Sequence, residues 1–123
     1  MILNCAIIDD EPLALDLLES YVRKTSFLNL VGRYSSAISA MSNIQQKKVD
    51  LLFLDIQMPG MDGLEFAKML QQDTRIVFTT AFSQYALEGY RVNALDYLLK
   101  PISYKVFSEA AERALEWFRM KQG

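Results

Sequence analysis

Short apolar runs and amphipathic stretches alternate along the chain. The runs fall at Leu3–Ile8, Leu28–Val31, Leu51–Leu54, Ile76–Thr79 and Ala94–Leu98. Each is too short for a helix, and most are nearly continuous in hydrophobicity, as strands covered on both faces should be. The intervening stretches carry the helical period. Pro12 suits the first turn of a helix that would place Leu13, Leu17, Leu18 and Tyr21 on one side. Ser35 or Ser36 can cap a second helix carrying Ile38, Met41 and Ile44. Leu64, Met69 and Leu70 mark a third, and Tyr85 to Tyr90 a short fourth. Ser103 can cap a last one, with Phe107, Ala110, Ala111, Ala114, Leu115 and Phe118 on one stripe. Five strands alternating with five helices predict a parallel sheet with right-handed crossovers. No repeat, low-complexity stretch or linker interrupts the pattern. The ending Met120-Lys121-Gln122-Gly123, just past the last predicted helix, reads as the edge of a domain.

Composition narrows the chemistry. With 123 residues, 51% hydrophobic and 23% charged, the chain fits one ordinary globular domain. It contains no histidine and a single cysteine. Ser-His-Asp and Cys-His nucleophile systems are therefore excluded, as are His-ligated zinc, a Cys₄ site and an internal disulfide. Metal binding must rest on oxygen ligands, which favour Mg²⁺, Mn²⁺ or Ca²⁺. Thirteen basic and fifteen acidic residues leave a net charge of -2, so no nucleic-acid-binding surface is expected on this segment. No apolar run approaches the ~20 residues needed to span a membrane. The opening Met1-Ile2-Leu3-Asn4-Cys5-Ala6 lacks a basic leader region, and a cytoplasmic location is expected. Cys5, among apolar neighbours, reads as a buried small hydrophobe.

Doubly wound sheets bind ligands beyond the carboxyl ends of their strands, so the polar residues after each run matter most. Asp9, Asp10 and Glu11 follow the first run, and Asp55 the third. The fourth ends in Thr79-Thr80-Ala81 and the fifth leads to Lys100-Pro101. Each has a plainer explanation: Asp9-Asp10 as a helix cap, Thr80 as a structural residue, Lys100 as a solvated loop lysine. Asp55 is harder to dismiss, because a carboxylate abutting a buried strand costs free energy unless it is paired. Together they describe a site for phosphorus chemistry. Clustered carboxylates call for a divalent cation, a carboxylate can attack phosphorus to give an aspartyl phosphate, and Lys100 and Thr80 can contact phosphoryl oxygens.

These residues resemble the receiver domain of bacterial two-component response regulators. The resemblance rests on Ile7-Ile8-Asp9-Asp10-Glu11-Pro12, on Leu54-Asp55-Ile56-Gln57-Met58-Pro59-Gly60-Met61-Asp62-Gly63, on Thr80-Ala81, and on Asp96-Tyr97-Leu98-Leu99-Lys100-Pro101. It covers about Leu3 to Met120. Residues Thr80 to Leu87 and Asn93 to Ile102 look more narrowly like the LytTR (LytR/AlgR) class, in which a DNA-binding domain follows the receiver. The resemblance implies a flavodoxin-like, doubly wound (βα)₅ fold with strand order 2-1-3-4-5. It implies that Asp55 is the phosphoacceptor and that Asp10 and Asp55 ligate Mg²⁺ (or Mn²⁺). Asp9 would act through water and Gln57 through its backbone carbonyl. Thr80 and Lys100 would contact the phosphoryl group, and Tyr97 would be the aromatic switch. A cis Lys100–Pro101 bond and a type II turn at Pro59-Gly60 are further expectations. Gly89 interrupts the fourth predicted helix, where the class carries a bulkier residue, and mobility is expected there.

The mechanism implied is a switch. A sensor histidine kinase, or a small acyl phosphate, would transfer a phosphoryl group to Asp55. The roughly -1.5 to -2 charges added would draw in the Thr80 hydroxyl. Tyr97 would then turn inward and reshape the surface of the fourth helix, fifth strand and fifth helix. Val106, Ala110 and Trp117, beside Arg113, form a flank of the last helix that suits either a wide core stripe or a dimer seam. The resemblance favours a homodimer on phosphorylation, with DNA bound only through a domain absent from these residues. Two other classes compete: a haloacid dehalogenase-like phosphatase, whose second aspartate would be replaced by Gln57, and a phosphorylation-independent interaction module.

Overall fold

The computed structural model describes residues 1–70, 73–83 and 94–122. Its strands are β1 (Leu3–Ile8), β2 (Leu28–Tyr34), β3 (Leu51–Asp55), β4 (Arg75–Thr80) and β5 (Asp96–Leu99). Its helices are α1 (Pro12–Arg23), α2 (Ala37–Gln46), α3 (Gly63–Met69) and α4 (Tyr104–Gln122). The predicted helix over residues 85–90, with Gly89, lies outside the described residues. The strands form one parallel sheet in the order β2-β1-β3-β4-β5, the doubly wound, flavodoxin-like arrangement expected.

Alternation along the strands divides the core in two. Cys5, Ile7, Phe53, Val77 and Leu98 face α1 and α4, where they meet Leu18, Val22, Phe107 and Ala111. Ala6, Ile8, Leu52, Leu54 and Phe78 face the other way, towards Ala40 and Ile44 of α2 and Phe66 of α3. The central strands are buried on both faces, which accounts for their unbroken apolar runs. Cys5 is fully buried, and burial pushes its thiol up to about 12.

The helix caps follow local chemistry. Ser36 caps α2, its hydroxyl accepting from the Ser39 N–H. Asp62 and Glu65 form a capping box at the start of α3. Ser103 accepts from the Val106 N–H at the start of α4. Phe107, Ala110, Ala111, Ala114 and Leu115 of α4 are buried as predicted, with Phe118 packed partly against them.

Three predicted stripes are corrected. In α1, Leu13 is 82% exposed and Leu17 is exposed too, while Leu15, Leu18, Tyr21 and Val22 face the core. The helix carries apolar residues around two overlapping faces, and the Leu15-Leu18-Val22 face wins while Tyr21 donates to the Ile102 carbonyl. In α2, Ile38 is 71% exposed, whereas small Ala37 and Ala40 lie against the sheet beside Ile44. In α3, Phe66 takes the buried place and Met69 is exposed. Among the described residues, no helix is long and apolar enough to cross a membrane.

Candidate functional site

The sheet order brings the ends of β1, β3, β4 and β5 to one edge. Asp9, directly after β1, is fully buried; Asp55, the last residue of β3, is nearly so. With half-buried Asp10 they present carboxylate oxygens within 4.8 Å of one another. Asp9 is oriented from two sides. Its Oδ1 accepts from the Glu11 N–H at 2.9 Å, an Asx turn leading into α1, and its Oδ2 lies 2.8 Å from Lys100 Nζ. The capping role considered for this segment is thus only partly taken up, since the N-cap residue of α1 is Glu11, without a side-chain cap.

Lys100 arrives from the far side of the sheet, directly after β5. Its ammonium also lies 3.2 Å from Glu11 Oε1 and 3.6 Å from Asp55 Oδ1. The Lys100 N–H donates to the Thr80 carbonyl, and Lys100–Pro101 is cis, as expected. Glu11 belongs to this site, although its position in the Asp-Asp-Glu run was the sole signal of it. Thr80 is buried, its hydroxyl accepting from the Phe82 N–H at 3.1 Å. One residue pair deeper on the same face, Tyr97 stacks on Phe78 with ring centroids 5.3 Å apart.

The segment after β3 is clamped. The Gly63 N–H donates to the Ile56 carbonyl at 2.7 Å, and a Cβ at Gly63 would stand 2.3 Å from the Asp55 carbonyl oxygen. No side chain larger than hydrogen fits there without moving the backbone of Asp55. Gly60 has φ of 82°, the conformation that the third residue of a Pro-Gly type II turn requires. Gln57, between Asp55 and Gly60, is exposed.

Electrostatics set the chemistry. Burial, first of all, and then the Asp9 charge push the Asp55 carboxyl up to about 7, against the pull of Lys100. Burial disfavours charge on Lys100 as well, but Asp9, Asp55 and Glu11 outweigh it and hold its pKa above the usual lysine range. One ammonium cannot neutralise three clustered carboxylates and Glu11. An all-oxygen donor set with surplus negative charge fits a hard divalent cation such as Mg²⁺.

Comparison with known proteins agrees with this arrangement. The family model described as response regulator receiver domain matches residues 5–112. An uncharacterized response regulatory protein of Vibrio cholerae is 39% identical over 115 residues, covering 92% of this chain and 48% of that protein. The transcriptional regulatory protein BtsR of Escherichia coli K12 is 45% identical over 98 residues, or 78% of this chain and 41% of BtsR. The chain thus spans about half the length of the curated relatives it matches. The crystal structure of the response regulatory domain of protein mrkE from Klebsiella pneumoniae superposes with a TM-score of 0.87 at 28% identity, covering 95% of this chain and 98% of that one. Sheet order, acidic edge and matched length converge on one assignment: the chain belongs to the response regulator receiver domain family.

Proposed function

We propose that this chain is a phosphorylation switch in which Asp55 accepts a phosphoryl group from a sensor histidine kinase. One observation carries the reading: a single lysine spans Asp9 and Asp55 at the mouth of a three-carboxylate cluster. Lys100 keeps the acceptor oxygen oriented and meets the charge that arrives on phosphorus. Asp9, Asp10 and Asp55, with the backbone carbonyl of Gln57, would hold Mg²⁺ (or Mn²⁺). Bound there, the ion would offset the carboxylate charges and the negative charge of the phosphoryl oxygens.

The Thr80 hydroxyl then leaves the Phe82 N–H to donate to a phosphoryl oxygen. Tyr97, stacked on Phe78 two residues before Thr80, turns into the space released. The change reaches the surface through β5 and α4, which the Asp96–Arg113 ion pair joins. That surface would control homodimer formation. On the helix flank, Ala110 belongs to the core, whereas Val106 is exposed and half-buried Trp117 carries the Arg75 guanidinium 4.6 Å from its ring centroid. The relatives' greater length and the regulatory name of BtsR support a longer transcriptional regulator, whose LytTR class and cytoplasmic location rest on the sequence resemblance. DNA in that protein would be bound by a domain outside these residues. The chain accepts a phosphoryl group and slowly loses it, and is not a turnover enzyme.

Incubation with acetyl phosphate and Mg²⁺, followed by intact-mass spectrometry, should add one phosphoryl group to the chain and none to Asp55→Asn. An unmodified wild type would leave an interaction module as the better reading, and steady hydrolysis of a phosphate ester would favour a phosphatase.

A further inference from the structure

Thr79 is fully buried, and its Oγ1 has no hydrogen-bond partner among the described residues. An unsatisfied buried hydroxyl destabilises a fold, and each instance in a native core calls for a reason. Valine has nearly the same shape and would avoid the cost, as it does at Val77 of the same strand.

The position of Thr79 supplies the reason. Side chains alternate along a strand, and Phe53 and Val77 both face α1 and α4. Asp55 and Thr79, each two residues further on, therefore share that face. They are paired across β3 and β4, and Thr79 is paired in turn with Leu98 of β5, two residues before Lys100. Thr79 thus stands between the strand that ends in the acceptor and the strand that delivers the lysine. Thr80 turns to the opposite face with Phe78 and already has the Phe82 N–H as a donor.

We propose that Thr79 is a positioning residue for phosphoryl transfer. Its hydroxyl donates to the Asp55 carboxyl once Lys100 turns from Asp55 to the incoming phosphoryl group. The inference rests on the reading of Asp55 as phosphoacceptor. With acetyl phosphate as donor, one Asp55 oxygen bonds to phosphorus while the bond from phosphorus to the acetate oxygen breaks, and acetate leaves with that electron pair. The second Asp55 oxygen, the one left to the cation, keeps a further lone pair, and Thr79 donates to it while keeping its own proton.

Two substitutions separate hydroxyl from packing. Thr79→Val keeps the volume and loses the donor, whereas Thr79→Ser keeps the donor and loses a methyl group. Melting temperatures should fall in the order valine variant, wild type, serine variant. Initial rates of Asp55 phosphorylation by acetyl phosphate with Mg²⁺ should run otherwise: the valine variant roughly three- to tenfold slower, the loss worth one ordinary hydrogen bond, and the serine variant close to wild type. A valine variant as fast as wild type overturns the proposal. So does a serine variant as slow as the valine one, which would mean packing alone, or a valine variant that melts below wild type, which would mean the hydroxyl is already bonded. A wild type that gains no phosphoryl group fails one step earlier, on the acceptor itself.

Discussion

Asp55 is held where its charge is unwelcome, and this couples the site to the stability of the fold. In the unfolded chain the carboxyl ionises at 3.8; in the folded chain, burial and Asp9 hold it to about 7. Between those values the folded state keeps a proton that the unfolded state has lost. Stability is therefore full below the lower value and falls as pH rises through the interval, by about 1.4 kcal/mol per pH unit. Without divalent cations, Asp55→Asn should raise the urea midpoint at pH 8 and lose that advantage as pH approaches the unfolded value. Urea titrations at the two pH values check the sign. Legibility differs sharply between residues at this scale. Asp55 stood out because an acid after Leu51-Leu52-Phe53-Leu54 breaks a hydrocarbon run. Thr79 did not, because threonine is an ordinary strand residue, and only its pairing with Asp55, set by non-local register, gives its hydroxyl meaning.

Among the elements, those whose burial is one-sided and continuous were the most readable. In α4, Phe107, Ala110, Ala111, Ala114 and Leu115 make a single stripe, and small residues there leave no second face to compete. In α1, leucines at 13, 15, 17 and 18 leave two phases open, and the sequence alone does not choose between them. The choice is testable: Leu18→Ala should cost about 2–5 kcal/mol, whereas Leu13→Ala should stay within about 0.5 kcal/mol. Chemical denaturation of the two variants measures both. The strand β2 runs three residues past its predicted end at Val31 because it lies at the sheet edge. Gly32, Arg33 and Tyr34 pair with β1 through backbone, leaving no apolar run to betray them.

For the whole molecule, the acidic edge makes the native fold incomplete in charge, and a cation should stabilise it by mass action. At a free Mg²⁺ concentration a hundred times its Kd, the gain would be about 2.7 kcal/mol. Calorimetric melting with and without Mg²⁺ should show the rise in the wild type, and its loss when Asp10 and Asp55 are both changed to asparagine. The strand ends that carry the cluster were legible in sequence, since doubly wound sheets gather them at one edge. The choice of Lys100's partners was not, because reach and burial decide whether a lysine finds Asp9 or solvent. That span from Lys100 to Asp9 also orders events during synthesis. A chain elongating at roughly 5–20 residues per second incorporates Asp55 some ~2–9 seconds before Lys100 is joined to it. Until the fifth strand arrives, the acidic residues lack the Lys100 ammonium that bridges them in the folded site. On the proposed role of Asp55 and Lys100, the growing polypeptide would be deaf to its signal, and the message would reach only a molecule whose translation has passed the last strand.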